Sequence, residues 1–572
     1  MIYCMSALTL SGCEWGLNPE DDNHSTFDRV YNDPSYAEGV LLTAYTLIPD
    51  NGYRFEEVAT DDAVTNVLNN NYLSMAVGMW TSQYNPVDSW TNCNRGILYV
   101  NRFLDAVDEV PWKPSDKEVN DLLLRRLKGE SYALRGILKY YMLRNHAGPG
   151  TSGTMLGIPL IDSFEESTEF DKPRASFAES LQSAYDDLDM ALTFLPLDYG
   201  NKSEVPVGFS EVKEVSSYNF VMGEMTQQRI SGRIVKAYKA RLALLAASPA
   251  FNRENDASLW EKAAKLNADL LDLSNFDAKG HLFYLKAQIE AGDITSGDKK
   301  DNAEIVWRRP IYNSRALETN NFPPSLYGKG QINPTQNLVD AFPMKNGYPI
   351  TDPRSNYDPK KPYADRDPRL GQSIIFDGAT FKGKVINTGV DGGENGLNAK
   401  EQSTRTGYYL KKLLREDANP NPASPSDQKH ITVLVRQTEL FLNYAEAANE
   451  AWGPLAKQGV SFSAKEVVAA IRERAGITQP DAYLESITTK EQMRELIRNE
   501  RRLELCFEGF RFWDMRRWKM DLTQSAMGVK IEYGKYDYFE VEDRKYDNSY
   551  MHYGPIPYEG ILKFNLEQNV GW

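Results

Sequence analysis

A chain of 572 residues, 41% hydrophobic and 25% charged, has the composition of a globular protein and ample length for a large core. A net charge of −15 repels nucleic acid and favours a neutral or cationic ligand over a polyanion. The four cysteines (Cys4, Cys13, Cys93, Cys506) include no C-x-x-C pair and the five histidines are scattered, which excludes a structural zinc site; no cofactor or metal is expected.

Residues 2–10 form a short apolar run that ends in Leu10-Ser11-Gly12-Cys13. Small residues before a cysteine, after such a run, resemble the bacterial lipobox. Residues 1–12 are therefore expected to be a lipoprotein signal peptide and Cys13 the thiol that carries the lipid. The run lacks the Lys or Arg that normally precedes a secretory signal. No later segment reaches ~18 consecutive apolar residues, so the expectation is an anchored protein with no spanning helix. Glu14, Glu20, Asp21 and Asp22 then read as a solvated tether.

Helical periodicity follows in two blocks. In the first, from about residue 90 to 275, Leu123, Leu127, Leu134, Leu138 and Tyr141 recur at helical intervals. Tyr238, Leu242, Leu245 and Ala246 do the same before Pro249 stops the helix, and Ala263, Leu266 and Leu270 mark the next one. In the second, from about 436 to 518, Phe441, Ala445, Ala448 and Trp452 share a face that Gly453-Pro454 ends, and Leu496, Leu503 and Phe507 share another. Cys93 and Cys506 fall in helix-like stretches and read as buried thiols. The fold class is mainly α: paired helices with small residues at their contacts suggest a helical-repeat scaffold, although no strict 34-residue period is visible.

Between the blocks, residues 276–435 are rich in Pro, Gly, Asn and Tyr, with short β-like pieces such as Ile374-Ile375-Phe376. Long ordered loops commonly carry function. Residues 378–385 (GATFKGKV) nearly spell a phosphate-binding loop, but no Ser or Thr follows Lys384, and a hairpin turn is the better reading. Residues 391–396 read as a turn. Two stretches combine flat rings with hydrogen-bonding side chains: Tyr72, Trp80, Tyr84 and Trp90 beside Asn69, Asn70 and Asn71, and Tyr312, Arg315, Asn321, Phe322 and Tyr327. Rings of this kind offer large rigid contact areas with polar tips, suited to stacking on sugars. Candidate ligand residues are Tyr72, Trp80, Tyr84, Tyr312, Arg315, Asn321 and Tyr327, with Trp90 also able simply to begin a helix. A shared platform requires the loop-rich middle to fold back on the N-terminal helices.

Residues 501–518 carry Arg501, Arg502, Glu504, Glu508, Arg511, Asp514, Arg516 and Arg517. Catalytic carboxylates need a cleft and contrasting environments. Opposite charges at helical i, i+3 and i, i+4 spacings instead predict local ion pairing within packed helices, and no catalytic residues are expected.

Several segments, in order, resemble the SusD/RagB family of Bacteroidetes outer-membrane lipoproteins: residues 94–104 (NRGILYVNRFL), 130–148 (ESYALRGILKYYMLRNHAG), 244–252 (LLAASPAFN) followed by Trp260, 333–342 (NPTQNLVDAF), 366–370 (RDPRL), 439–450 (ELFLNYAEAANE), 499–518 (NERRLELCFEGFRFWDMRRW), 553–557 (YGPIP) and 565–572. The resemblance implies four tetratricopeptide-like helix pairs with a large irregular half packed on them. Residues 13–275 would form the N-terminal helical region and 276–572 the C-terminal region, together one compact unit. It also implies a location on the outer face of the outer membrane, a TonB-dependent SusC-like transporter as partner, and a glycan ligand. A peptide ligand is the alternative within the family; a surface glycoside hydrolase and a purely structural adaptor are the readings from other classes.

Overall fold

The computed structural model describes residues 29–49, 52–164, 172–271 and 304–572. The expected signal peptide and Cys13 lie outside these residues. The fold is mainly helical, with strands confined to two-stranded ladders. The principal helices are α1 (Pro34–Thr46), α2 (Trp90–Ala106), α3 (Lys117–His146), α4 (Phe177–Phe194), α5 (Gly232–Ala247), α6 (Ala257–Ala268), α7 (Gln437–Trp452), α8 (Ala464–Ala475), α9 (Lys490–Glu504) and α10 (Arg511–Arg517).

Local chemistry explains where these helices begin and end. Ser176 with Glu179, Ser463 with Glu466 and Thr489 with Gln492 form reciprocal capping boxes at α4, α8 and α9. Gly453, at φ 87°, closes α7 at the Gly-Pro stop, and Gly476, at φ 91°, closes α8. The leucine series from 123 to 141 lies on one uninterrupted helix, α3, which packs against both α2 and α4. Small residues set the close approach. A Cβ on Gly96 would stand 2.6 Å from Leu138, and one on Gly136 would stand 2.8 Å from Leu188. Cys93 and Cys506 are both buried.

The late helices join the early ones. α7 packs on α6, α8 and α9, and a single apolar core runs from Val30 through Leu143, Leu245 and Tyr444 to Leu566. The loop-rich middle does fold back on the N-terminal part. Ala63–Thr65 pairs antiparallel with Ile332–Pro334, and Ile305–Arg308 pairs with Val433–Arg436 just before α7. The near phosphate-loop segment is a hairpin, with Ala379–Phe381 paired to Lys384–Ile386. Lys382 and Gly383 at its tip have φ values of 50° and 73°, the two left-handed positions that such a tight turn requires.

Most charges of residues 501–518 pair, chiefly with residues distant in sequence rather than at helical spacing. Arg501 engages Asp514 at 2.7 Å, Arg511 engages Asp61 at 2.8 Å, and Arg517 spans Glu446 and Asp514 at 2.5 and 2.8 Å. Of the expected helical-spacing pairs, only Arg517–Asp514 forms. On α9, Glu504 faces three guanidiniums, Arg474 at 2.7 Å and Arg436 and Arg369 at 3.3 Å each. They hold its carboxyl well below the usual carboxylate range in spite of its burial. Glu500 takes Arg369 and Arg472 at 2.8 and 2.6 Å. Replacing Glu504 by Ala removes a carboxylate shared by three buried guanidiniums, of which Arg369 and Arg436 keep other carboxylate partners. Glu504→Ala is predicted to cost about 3–5 kcal/mol in chemical denaturation, whereas a loss below ~1 kcal/mol would show the lattice to be energetically neutral.

Candidate functional site

A cleft of about 110 Å³ opens where the helical scaffold meets the irregular half. Its walls come from α3 (Tyr140, Arg144), α5 (Arg241, Leu244, Leu245), the residues leading into α7 (Thr432 to Arg436), α7 itself (Glu439, Asn443) and α10 (Trp513 to Arg517). Gly52, Tyr53, Arg54, Glu56, Phe251, Arg501, Glu508, Gly509, Phe510 and His552 complete it. Tyr53, Phe251, Phe510 and Trp513 are half-buried and so present ring surface to solvent at the cleft. The Arg144 guanidinium lies 4.1 Å from the Trp513 ring centroid and holds the indole from one side. Glu439, Glu508 and Asp514, three of the wall carboxylates, are neutralised in place. Glu439 takes Arg241 in a bidentate pair at 2.7 and 2.6 Å, and Glu508 takes Lys412 and Arg436 at 2.8 Å each. Such pairs fix walls; they do not make an acid and a base of contrasting pKa.

Two of the residues expected from the sequence reach the neighbourhood of the cleft. Tyr72 is half-buried and its hydroxyl accepts a hydrogen bond from Arg54, a lining residue. Tyr312 is 41% exposed, stacks on His430 at 5.6 Å and hydrogen-bonds to the side chain of Thr432, another lining residue. Tyr327 is exposed at the end of a short 3₁₀ turn, and Arg315 pairs at the surface with Asp427. Tyr84 is half-buried, its hydroxyl donating to Asn71.

Two expectations require correction. Trp80 is only 3% exposed: its ring meets Phe512, Tyr546 and Trp572 edge-on and its Nε1 donates to Asn85 at 3.0 Å. The polar sequence around it suggested an open loop, but α10 and the C-terminal tail cover it. Asn321 is 2% exposed and its amide is used by the backbone, donating to Leu317 and accepting from Ile332. Neither lines the cleft, and the polar atoms of both are used within the fold. Trp90 begins α2 and is buried. Sequence reasoning missed Tyr53, Arg144, Trp513, Arg516 and His552. The first two carry no local signal, and Trp513 sat inside a stretch dominated by its charges.

The comparisons with known proteins agree with this architecture. Residues 296–572 match the SusD family, and residues 19–209 match a SusD-like family described as starch-binding and associating with the outer membrane. The chain belongs to the SusD family. Over 100 residues it is 35% identical to the SusD-like protein P38 of Formosa agariphila, a stretch that spans 16% of this chain and 18% of that protein. A SusD-like protein from Bacteroides fragilis superposes over 97% of this chain and all of its own, with a TM-score of 0.72 and 23% identity. A SusD-like carbohydrate-binding protein from the same species covers 92% of this chain and 98% of its own, with a TM-score of 0.68 and 22% identity. As a SusD-family member the chain is a non-catalytic binding protein. Among the described residues no helix is long and apolar enough to cross a membrane.

Beside the cleft, Glu57 is completely buried; one carboxyl oxygen accepts from the Gly509 amide at 2.8 Å. Burial, with Glu56 adjacent, pushes its pKa up to about 8. The folded state thus holds a proton that the unfolded chain releases above the ordinary glutamate range. That contribution to stability is intact in acid and is lost progressively as pH rises towards about 8. Glu57→Gln should flatten this part of the pH profile and exceed the parent in stability at pH ~8 by on the order of 2–3 kcal/mol. Parallel melting curves at pH ~5 and ~8 check it; an unchanged difference between the two proteins would refute the assignment. Trp80→Ala, a core truncation, should cost about 3–5 kcal/mol and lower the melting temperature, a test that separates it from the rings at the cleft.

Proposed function

We propose that this protein is a cell-surface lipoprotein that binds an oligo- or polysaccharide and delivers it to a TonB-dependent, SusC-like outer-membrane transporter. In this reading residues 1–12 are removed, Cys13 carries the lipid, and the protein faces the cell exterior. The observation that carries the proposal is the cleft between scaffold and irregular half, where Tyr53, Phe510 and Trp513 supply flat rings beside hydrogen-bonding side chains. Pockets for sugar rings need apolar faces to stack on and a few well-placed polar groups for the hydroxyls. Tyr72 and Tyr312 extend this surface as candidate contacts, and Tyr84, Arg315 and Tyr327 are further candidates outside the cleft lining. The carbohydrate-binding relative and the starch-binding family description support the ligand class. The SusC-like partner and the outer-membrane location rest on family membership.

Isothermal titration against a panel of polysaccharides and peptides tests the reading. A glycan should bind without being cleaved, and Trp513→Ala should weaken it by about 1–3 kcal/mol with little change in melting temperature, because the ring is partly exposed. Binding of peptides but no glycan would favour the peptide-uptake alternative. Cys13→Ala should release the protein from the membrane fraction without unfolding it, and unchanged membrane association would remove the anchor from the proposal.

A further inference from the structure

Seven arginines line the cleft, against four carboxylates. Most of these guanidiniums are committed. Arg241 is held by Glu439, Arg436 by Glu304, Glu504 and Glu508, Arg501 by Asp514, and Arg517 by Glu446 and Asp514. Arg516 is different. It is 4% exposed, and among the described residues no carboxylate lies within ion-pairing distance of it. Its Nη1 donates to the Phe512 carbonyl at 3.1 Å, while Nε and Nη2 are buried without a hydrogen-bond partner. Phe512, Trp80 and Tyr546 surround it, with ring centroids at 3.4, 4.9 and 5.0 Å, and the Tyr546 oxygen is the polar side-chain atom at its side. Aromatic faces soften the burial of a cation but do not replace a counter-ion. Burial lowers the guanidinium's pKa to about 10, the mark of a charge that lacks its partner.

A second unsatisfied group lines the same cleft. His552 is 7% exposed; its Nε2 donates to the Met520 carbonyl at 2.8 Å, the Asn548 backbone also neighbours the ring, and its Nδ1 makes no hydrogen bond of normal geometry. Burial and the nearby Arg516 charge keep the ring neutral, which leaves Nδ1 as an acceptor. The cleft therefore offers a cationic pair of N–H donors and, close by, a bare acceptor. An anion answers the first and a hydroxyl answers the second.

We propose that the cleft receives an acidic substituent of the glycan, with Arg516 binding a carboxylate or sulfate group and His552 accepting a hydrogen bond from a hydroxyl of the same sugar. This rests on the cleft being the glycan site. The space of about 110 Å³ suits one charged substituent, and not a chain, so the sugar rings remain at the aromatic rim. The overall charge of −15 does not oppose this, because the cleft is locally cationic and low-dielectric walls strengthen short-range attraction. An acidic sugar satisfies both orphaned groups. The carboxylate of a glutamate or aspartate side chain has no neighbouring hydroxyl and satisfies only one.

Titration of the full chain with an oligogalacturonide, a sulfated galactan oligosaccharide, a neutral galactan oligosaccharide and an acidic peptide tests this. One of the two acidic glycans should bind at least tenfold tighter than the neutral one, and which of them wins assigns carboxylate or sulfate. Arg516→Gln should abolish that preference, bringing the affinities for the acidic and the neutral glycan together. Its melting temperature should hold or rise, since an unpaired buried charge is removed. Should Arg516→Gln fold poorly, a melting-temperature increase of the parent with galacturonate, and none with galactose, supplies the same evidence for a carboxylate; inorganic sulfate against chloride does so for a sulfate. Equal affinity for acidic and neutral glycans would overturn the inference and leave glycan binding standing. Tighter binding of the acidic peptide would overturn the sugar assignment. Binding of no glycan at all would overturn both.

Discussion

The architecture hangs on a lattice of buried ion pairs along α9 and α10. Glu500 and Glu504 each bind guanidiniums from separate parts of the chain: Arg369 from the irregular half, Arg436 from the entry to α7, and Arg472 and Arg474 from α8. Arg502 and Arg511 reach Asp61 and Asp62 near the N-terminal end of the described chain. Apolar contact is non-directional and would allow the loop-rich half to slide over the helices. Planar guanidinium–carboxylate pairs tolerate little displacement, and a buried charge left without its partner is expensive. The lattice therefore fixes how the two halves meet, and the cleft is a consequence of that meeting.

The same charges explain why a cleft lined by carboxylates offers no acid–base pair. Acid–base chemistry requires two ionisable groups whose environments drive their pKa values apart. Here Glu439, Glu508 and Asp514 are each neutralised by a cation at hydrogen-bonding distance, so their role is to orient Arg241, Arg436 and Arg501. With the walls locked, the groups left over at the cleft are the half-buried rings and the two orphaned polar side chains, Arg516 and His552. This fits the non-catalytic character of the SusD family, and under the proposed function recognition falls to these few side chains.

The helical frame was legible from the sequence because its signals are local. Pro249, Gly453-Pro454 and the capping residues act within a turn of the chain, and the leucine spacing of 123 to 141 reports one helix face. The 382–383 turn was legible for the same reason, as were the buried thiols. Family motifs distributed along the chain added the overall architecture. Much of the candidate site was not legible. Tyr72 and Tyr312 were picked out, but their link to a common cleft depends on strand pairings between residues 63–65 and 332–334, and between 305–308 and 433–436.

The sequence by itself determined the fold class, the positions of the main helices, the family, and the segregation of helical and loop-rich regions, since each rests on periodicity, capping or motif order over short spans. Tertiary structure alone decided which charges pair, which rings are exposed and where the cleft lies. Arg501 shows the limit: helical spacing offers it Glu504, yet the folded chain gives it Asp514 and gives Glu504 to Arg369, Arg436 and Arg474. Trp80 shows it again, for its polar neighbours in sequence say nothing of Phe512, Tyr546 and Trp572, which arrive from more than 400 residues away to bury it. Burial and ion pairing are properties of neighbours in space, and for both residues those neighbours are set only when the scaffold and the irregular half have come together.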